Sequence, residues 1–233
     1  RLDPERLDPE CLDGCGTEPF GRRFQERIDP GHTPPRGAEH AQGAGDIHRS
    51  GGGAPLWNDE FAVGSVAFSA IVAFCAHELT EVTDDAGLRE GVAELRDALA
   101  ERWDPDRRTW IDDGPTATGS GRIRTLEALL PLLVDARADV IDTVVDELSD
   151  PTAFAGPYGP TQVHRDEPTF RPGSYWRGPS WPQLDYLMWL ALRRAGRCDA
   201  ACELARSTVA GATTSEWAEY WDSVDGRGGG AAP

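Results

Sequence analysis

The chain contains no lysine, so all 23 of its basic residues are arginine. With abundant Ala, Gly, Asp and Pro, that bias reads as the coding habit of a GC-rich genome and has no functional meaning. Positive charge is scarce altogether. Forty acidic residues against 23 basic ones leave a formal charge of -17. Such a surface repels nucleic acid and anionic membrane, so neither is an expected partner. No apolar run approaches the roughly 18 residues of a membrane-spanning helix, and no signal peptide opens the sequence. A soluble, cytoplasmic protein is the expectation. The five cysteines include no CxxC pair. Cys11/Cys15 and Cys198/Cys202 are each spaced by four, which on a helix places two thiols on one face and would allow a four-thiolate zinc site. Buried or free thiols in a reducing compartment are the preferred reading, so neither metal nor cofactor is expected.

At 233 residues the chain is long enough to bury a real core. Residues 1–56 do not read as globular. Arg1-Leu2-Asp3-Pro4-Glu5 is repeated at once as Arg6-Leu7-Asp8-Pro9-Glu10, and Gly31 to Pro55 has almost no large apolar side chain. Such a stretch buries too little surface to offset its conformational entropy, so disorder is the default. A binding tail is one alternative; non-native coding sequence is the favoured one. The folded domain is expected over residues 57–233, from Trp57 onward.

Three helical hairpins follow from the periodicity. Val63 to Val82 is apolar almost all round and predicts a largely buried helix, followed by an amphipathic one from Ala86 to Trp103. Thr109 to Asp112 reads as a short extended piece. Arg122 to Asp135, interrupted by Pro131, and Ala138 to Leu148 form the second pair. Trp181 to Ala195 and Asp199 to Ala210 form the third. Ser180 and Gln183 have capping-box spacing, which starts the fifth helix just after Ser180. Alternating buried and half-buried helices predict an all-α toroid, inner helices lining the core and outer ones facing solvent.

The long segment Asp150 to Pro179 carries Phe154, Tyr158, Phe170, Tyr175 and Trp176, and runs into Arg177-Gly178-Pro179-Ser180-Trp181. Farther on stands Trp217-Ala218-Glu219-Tyr220-Trp221-Asp222. Sugar rings offer flat C–H faces to aromatics and hydroxyls to charged, bidentate groups. Arg177 beside an indole suits that task; pairing with one of the many acids is the alternative. Glu219 among Trp217, Tyr220 and Trp221 is expected to be partly desolvated, which tunes a carboxyl for acid–base work. A surface Glu is the alternative there.

Tyr175-Trp176-Arg177-Gly178-Pro179-Ser180-Trp181-Pro182-Gln183-Leu184-Asp185-Tyr186-Leu187 resembles the YWRGPxWPxxNYL signature of glycoside hydrolase family 63 and its trehalase-like relatives. Trp217 to Gly226 resembles the xEYYDPxTG segment that follows in those proteins. The resemblance spans Trp57 to the end. It implies an (α/α)6 barrel, about half of it present here, and an inverting α-glycosidase of the glucosylglycerate or mannosylglycerate hydrolase type. By that likeness Glu219 is the general base. Tyr175, Trp176, Arg177, Gly178, Trp181, Tyr220 and Trp221 then line a site for a small carbohydrate.

Inversion needs two carboxyl groups, roughly 6.5–9.5 Å apart. The family draws the acid from an ESGxDxSPRWD-like segment whose nearest counterpart here is Leu12 to Pro19, with Gly16 where the acid belongs. The acid is therefore not identified. Asp185, Ser223 and Asp225 also depart from the family's Asn, Pro and Thr. A non-catalytic sugar-binding remnant and a helical-repeat interaction module are the competing readings, although the pairs show no self-similarity of the repeat type.

Overall fold

The computed structural model describes residues 63–114, 122–134 and 136–230. The predicted tail 1–56, Trp57 and the Cys11/Cys15 pair lie outside them. Helix α1 (Val66–Thr80) is capped by Ser65, whose Oγ accepts from the Phe68 amide at 3.3 Å. Helix α2 (Ala86–Ala100) is capped by Asp85, which accepts from the Leu88 amide at 3.0 Å. These side-chain oxygens satisfy donors that a helix start leaves without partners. A two-residue hairpin follows, β1 (Trp103–Asp104) paired antiparallel with β2 (Thr109–Trp110).

Next come a 3-10 helix (Glu127–Leu133), α3 (Ala138–Ser149), α4 (Pro182–Arg194) and α5 (Cys198–Thr214). The chain closes on a second hairpin, β3 (Tyr220–Trp221) with β4 (Gly228–Gly229). The 3-10 helix packs between α1 and α4, while α2 covers α1 and α5 covers α4. Inner elements therefore run α1, 3-10, α4 in an arc, each followed by an outer helix. All but Glu127 of the 3-10 residues are buried, so this short element is the keel of the core, flanked by Val66, Ala70, Val140, Val144, Met188 and Leu192.

Several expectations change. The segment 122–135 was expected to be a full helix, but Pro131 lacks the N–H that an α-helical ladder requires, and only seven residues coil, in the tighter 3-10 form. Helix α1 is not buried all round: Val66, Ala70 and Ala73 face inward, while Phe68 is 69% and Leu79 51% exposed. Among the described residues, α2 and the 3-10 helix cover only part of its circumference. The capping box at Ser180 does not form. Trp181 is the cap residue of α4 with Pro182 at its first turn, and the Ser180 hydroxyl instead donates to Asp185 Oδ2 at 2.7 Å. Cys75 is a free thiol, but Cys198 is disulfide-bonded, contrary to the free thiols expected. No described helix is long and apolar enough to cross a membrane.

Candidate active site

The two aromatic segments meet through their backbones. Ser180 and Trp221 form an isolated antiparallel bridge, the Ser180 amide donating to the Trp221 carbonyl at 2.8 Å and the Trp221 amide returning at 3.2 Å. The strand β3, which the chain enters just after Glu219, therefore runs beside the residues that open α4.

An aromatic cluster grows from this junction. Trp176 lies flat on Trp181, centroids 3.8 Å apart and planes 2° from parallel. Tyr175 meets Trp181 edge-on at 4.9 Å and Tyr220 at 5.3 Å, and Tyr220 tilts against Trp181 at 4.8 Å. Offset and edge-on ring contacts are the favoured geometries for such pairs. Trp181 is 1% exposed beneath Trp176, whereas Tyr175 and Trp176 stand 51% and 40% open to solvent. Trp176 is thus the outer ring of the stacked pair and Trp181 the covered one. Its φ of 54° is left-handed, a conformation costly for a bulky L-residue, and it occurs where the ring must turn onto Trp181. Gly178 is buried, and a Cβ there would strike the Arg171 carbonyl and Pro172, so only glycine fits.

Glu219 projects from the edge of this cluster. The Tyr175 hydroxyl donates to its Oε1 at 3.2 Å, joining the two motifs through side chains as well as backbone. The same contact, after desolvation, helps to raise the Tyr175 phenol above its usual value. Glu219 itself is exposed, so the partial desolvation expected from its aromatic neighbours is absent in this state. Trp217, exposed and with φ of 66°, points away from the core. Arg177 is exposed, and its guanidinium has no ion-pair partner among the described residues. Trp221 faces inward: it is 1% exposed, donates its indole N–H to the Tyr158 carbonyl and rests against Gly211.

The burial of two acids had no sequence signal. Asp185, 1% exposed, receives Ser180 Oγ and Thr208 Oγ1 (3.1 Å) on one oxygen and nothing on the other, and burial pushes its carboxyl up to about 7. Glu167 is buried between Arg124 Nε at 2.8 Å and Arg107 at 3.0 Å. Desolvation works against its charge, but the Arg124 hydrogen bonds and both guanidinium charges prevail and hold it below its usual value. That pair ties the loop before Tyr175 to the first hairpin. No group of three or more metal-ligating side chains occurs among the described residues.

Comparison with known proteins bears on these residues. The family model of the mannosylglycerate hydrolase MGH1-like glycoside hydrolase domain matches residues 17–232. The glucosylglycerate hydrolase of Mycolicibacterium hassiacum is 28% identical over 188 residues, 72% of this chain and 40% of that protein. The mannosylglycerate hydrolase of Thermus thermophilus is 24% identical, over 73% of this chain and 42% of its own length. This chain thus spans about two fifths of the relatives it matches. Among solved structures, a GH63 mannosylglycerate hydrolase from Thermus thermophilus in complex with Tris and D-glycerate aligns at a TM-score of 0.68 and 23% identity, covering 75% of this chain and 44% of that one. The alignment identifies the arc of inner and outer helices as part of an (α/α)6 toroid.

Proposed function

This chain belongs to the mannosylglycerate hydrolase MGH1-like glycoside hydrolase family, and on that premise we propose that it carries the base-bearing side of an inverting α-glycosidase site. The substrate class is a small α-glycoside such as glucosylglycerate, by likeness to the Mycolicibacterium relative. Glu219 takes a proton from water as the water oxygen attacks the anomeric carbon. The bond from that carbon to the leaving oxygen breaks on the opposite face, and a second carboxyl group protonates the departing alcohol. Trp176 offers the flat apolar face for a sugar ring. Arg177 offers a fork of donors that fits a carboxylate, the group a glycerate aglycone would bring. Tyr175 steadies the base.

The observation that carries this reading is the Tyr175–Glu219 hydrogen bond at 3.2 Å, which makes one site of the two motifs. Anomer-resolved proton NMR with glucosylglycerate tests it: the first sugar released should be the β-anomer, and Glu219→Gln should abolish release while the fold persists. Release of the α-anomer, or undiminished turnover by the variant, sinks the assignment. A second reading, sugar binding without turnover, is favoured by the weak counterpart of the acid-bearing segment at Leu12 to Pro19. Binding of glucosylglycerate with no hydrolysis by the wild type would select it.

A further inference from the structure

Asp185 stands in the first turn of α4, its side chain buried. One carboxyl oxygen, Oδ2, accepts from the Ser180 hydroxyl at 2.7 Å and from the Thr208 hydroxyl at 3.1 Å. Thr208 belongs to α5 and Ser180 to the segment ahead of α4, so this oxygen ties three pieces of chain together. Gly159 closes over the group, and a Cβ there would strike Ser180 Oγ. Ser180 and Asp185 are both enclosed, so what they do for the site is transmitted through the chain and not by touching a ligand.

Ser180 is the relay. Its amide and carbonyl both go to Trp221 and its hydroxyl goes to Asp185, so every polar group it has is engaged. Trp221 is the second residue of β3, and Glu219 immediately precedes that strand. The other edge of β3 pairs with Gly228 and Gly229, which bring no side chains to pack against the helices. Tyr175, whose hydroxyl reaches Glu219 Oε1, lies on the same segment as Ser180, ahead of α4. Both attachments of Glu219, by backbone and by side chain, therefore begin in the segment that Asp185 holds.

A carboxyl enclosed in this way gives up hydration that two hydroxyl donors only partly replace, and its Oδ1 has no hydrogen-bond partner among the described residues. A leucine of similar volume would avoid that cost. What the carboxyl adds is direction, because an acceptor fixes the Ser180 hydroxyl where an apolar side chain would leave it free to turn. On the glycosidase reading of this site, we infer that Asp185 is a positioning residue for Glu219: it holds Ser180, Ser180 holds Trp221, and that strand sets where the Glu219 carboxylate stands beside Tyr175. The role calls for an acceptor oxygen and not for a charge, since both partners are neutral hydroxyls. An amide oxygen can fill it.

The test compares Asp185→Leu, Asp185→Asn and Ser180→Ala in the whole chain. Asp185→Leu should lower kcat for glucosylglycerate about tenfold with KM unchanged, the scale of losing two neutral hydrogen bonds. Asp185→Asn should restore kcat, and Ser180→Ala, which removes only the donor, should reproduce the loss without adding to it in the double variant. Amide hydrogen exchange supplies a readout independent of turnover. The Trp221 amide, bonded to the Ser180 carbonyl, should exchange faster in Asp185→Leu and Ser180→Ala, while that of Val92 in α2 keeps its wild-type rate. Unchanged kcat and unchanged Trp221 exchange in a folded Asp185→Leu or Ser180→Ala variant overturn the inference. So does exchange that rises equally at Trp221 and Val92, which marks a loss of stability alone, or a failure of Asp185→Asn to rescue. A wild type that does not hydrolyse glucosylglycerate sinks the glycosidase reading, and the exchange comparison then decides by itself whether Asp185 holds the strand beside Glu219.

Discussion

Ser180 and Trp221 exchange both of their backbone hydrogen bonds, so the head of α4 and the strand after Glu219 move as one unit. The anchor of that unit is the Trp221 ring, seated on Gly211 and bonded to the Tyr158 carbonyl. Trp221→Ala should cost about 3–5 kcal/mol, the range for emptying a buried aromatic site. Gly211→Ala, which pushes a methyl group into the indole, should cost about 1–3 kcal/mol. Urea unfolding measures both, and a change below about 1 kcal/mol for Trp221→Ala would show that the junction is not held there.

Tyr175→Phe removes only the hydroxyl that reaches Glu219. Ring packing against Trp181 and Tyr220 is retained, so the melting temperature should stay put. Turnover of glucosylglycerate should fall about fivefold, the scale of one hydrogen bond of about 1 kcal/mol. If Glu219 is the base, the drop should appear in kcat rather than KM, because the hydroxyl would then orient that carboxylate and not the sugar. An unchanged kcat would remove Tyr175 from that role.

Asp185 makes stability depend on pH in an unusual direction. Its carboxyl titrates near 7 when folded and at the ordinary carboxylate value when unfolded. Between those limits the folded state binds more protons, so this group's contribution to stability is full at low pH and falls as pH rises toward 7. The whole span corresponds to about 4 kcal/mol. Asp185→Asn should abolish the slope and raise stability at pH 8. Urea midpoints for both proteins at pH 5 and pH 8 decide it: equal slopes would mean that Asp185 is charged throughout.

Glu167 acts in the opposite sense. Its carboxylate is held below its usual value by Arg124 and Arg107, so the stability it supplies is present at neutral pH and lost as pH falls through the folded value. Arg124→Ala leaves a buried carboxylate short of a partner and should cost about 3 kcal/mol at pH 7. The loss should shrink in acid, where Glu167 becomes neutral. A cost that stays constant from pH 7 to pH 3 would assign the effect to packing alone.

What could be read from the sequence was whatever repeats at helical spacing. Leu88, Val92, Leu95 and Leu99 mark α2, and Leu184, Met188 and Ala191 mark α4, because a buried stripe leaves its period in the chain. Pro131 was visible too, but the choice of 3-10 coiling around it depends on how Leu129, Leu130 and Leu133 fill the core. A two-residue strand has no period, so the pairing of Tyr220–Trp221 with Gly228–Gly229 left no trace. Ser180 carried a capping signal that lost to a buried partner, Asp185, five residues on. The aromatic residues were legible as a group; their order of cover, Trp176 over Trp181, is a tertiary fact.

That stacked pair has an optical consequence. Two indoles lying parallel at 3.8 Å couple their electronic transitions, so they absorb and emit as a pair instead of as separate rings. A sugar that settles on the outer face of Trp176 leaves the pair intact and perturbs its emission; one that wedges beneath Trp176 splits the pair. The light the protein gives back therefore distinguishes the two modes of entry without any label.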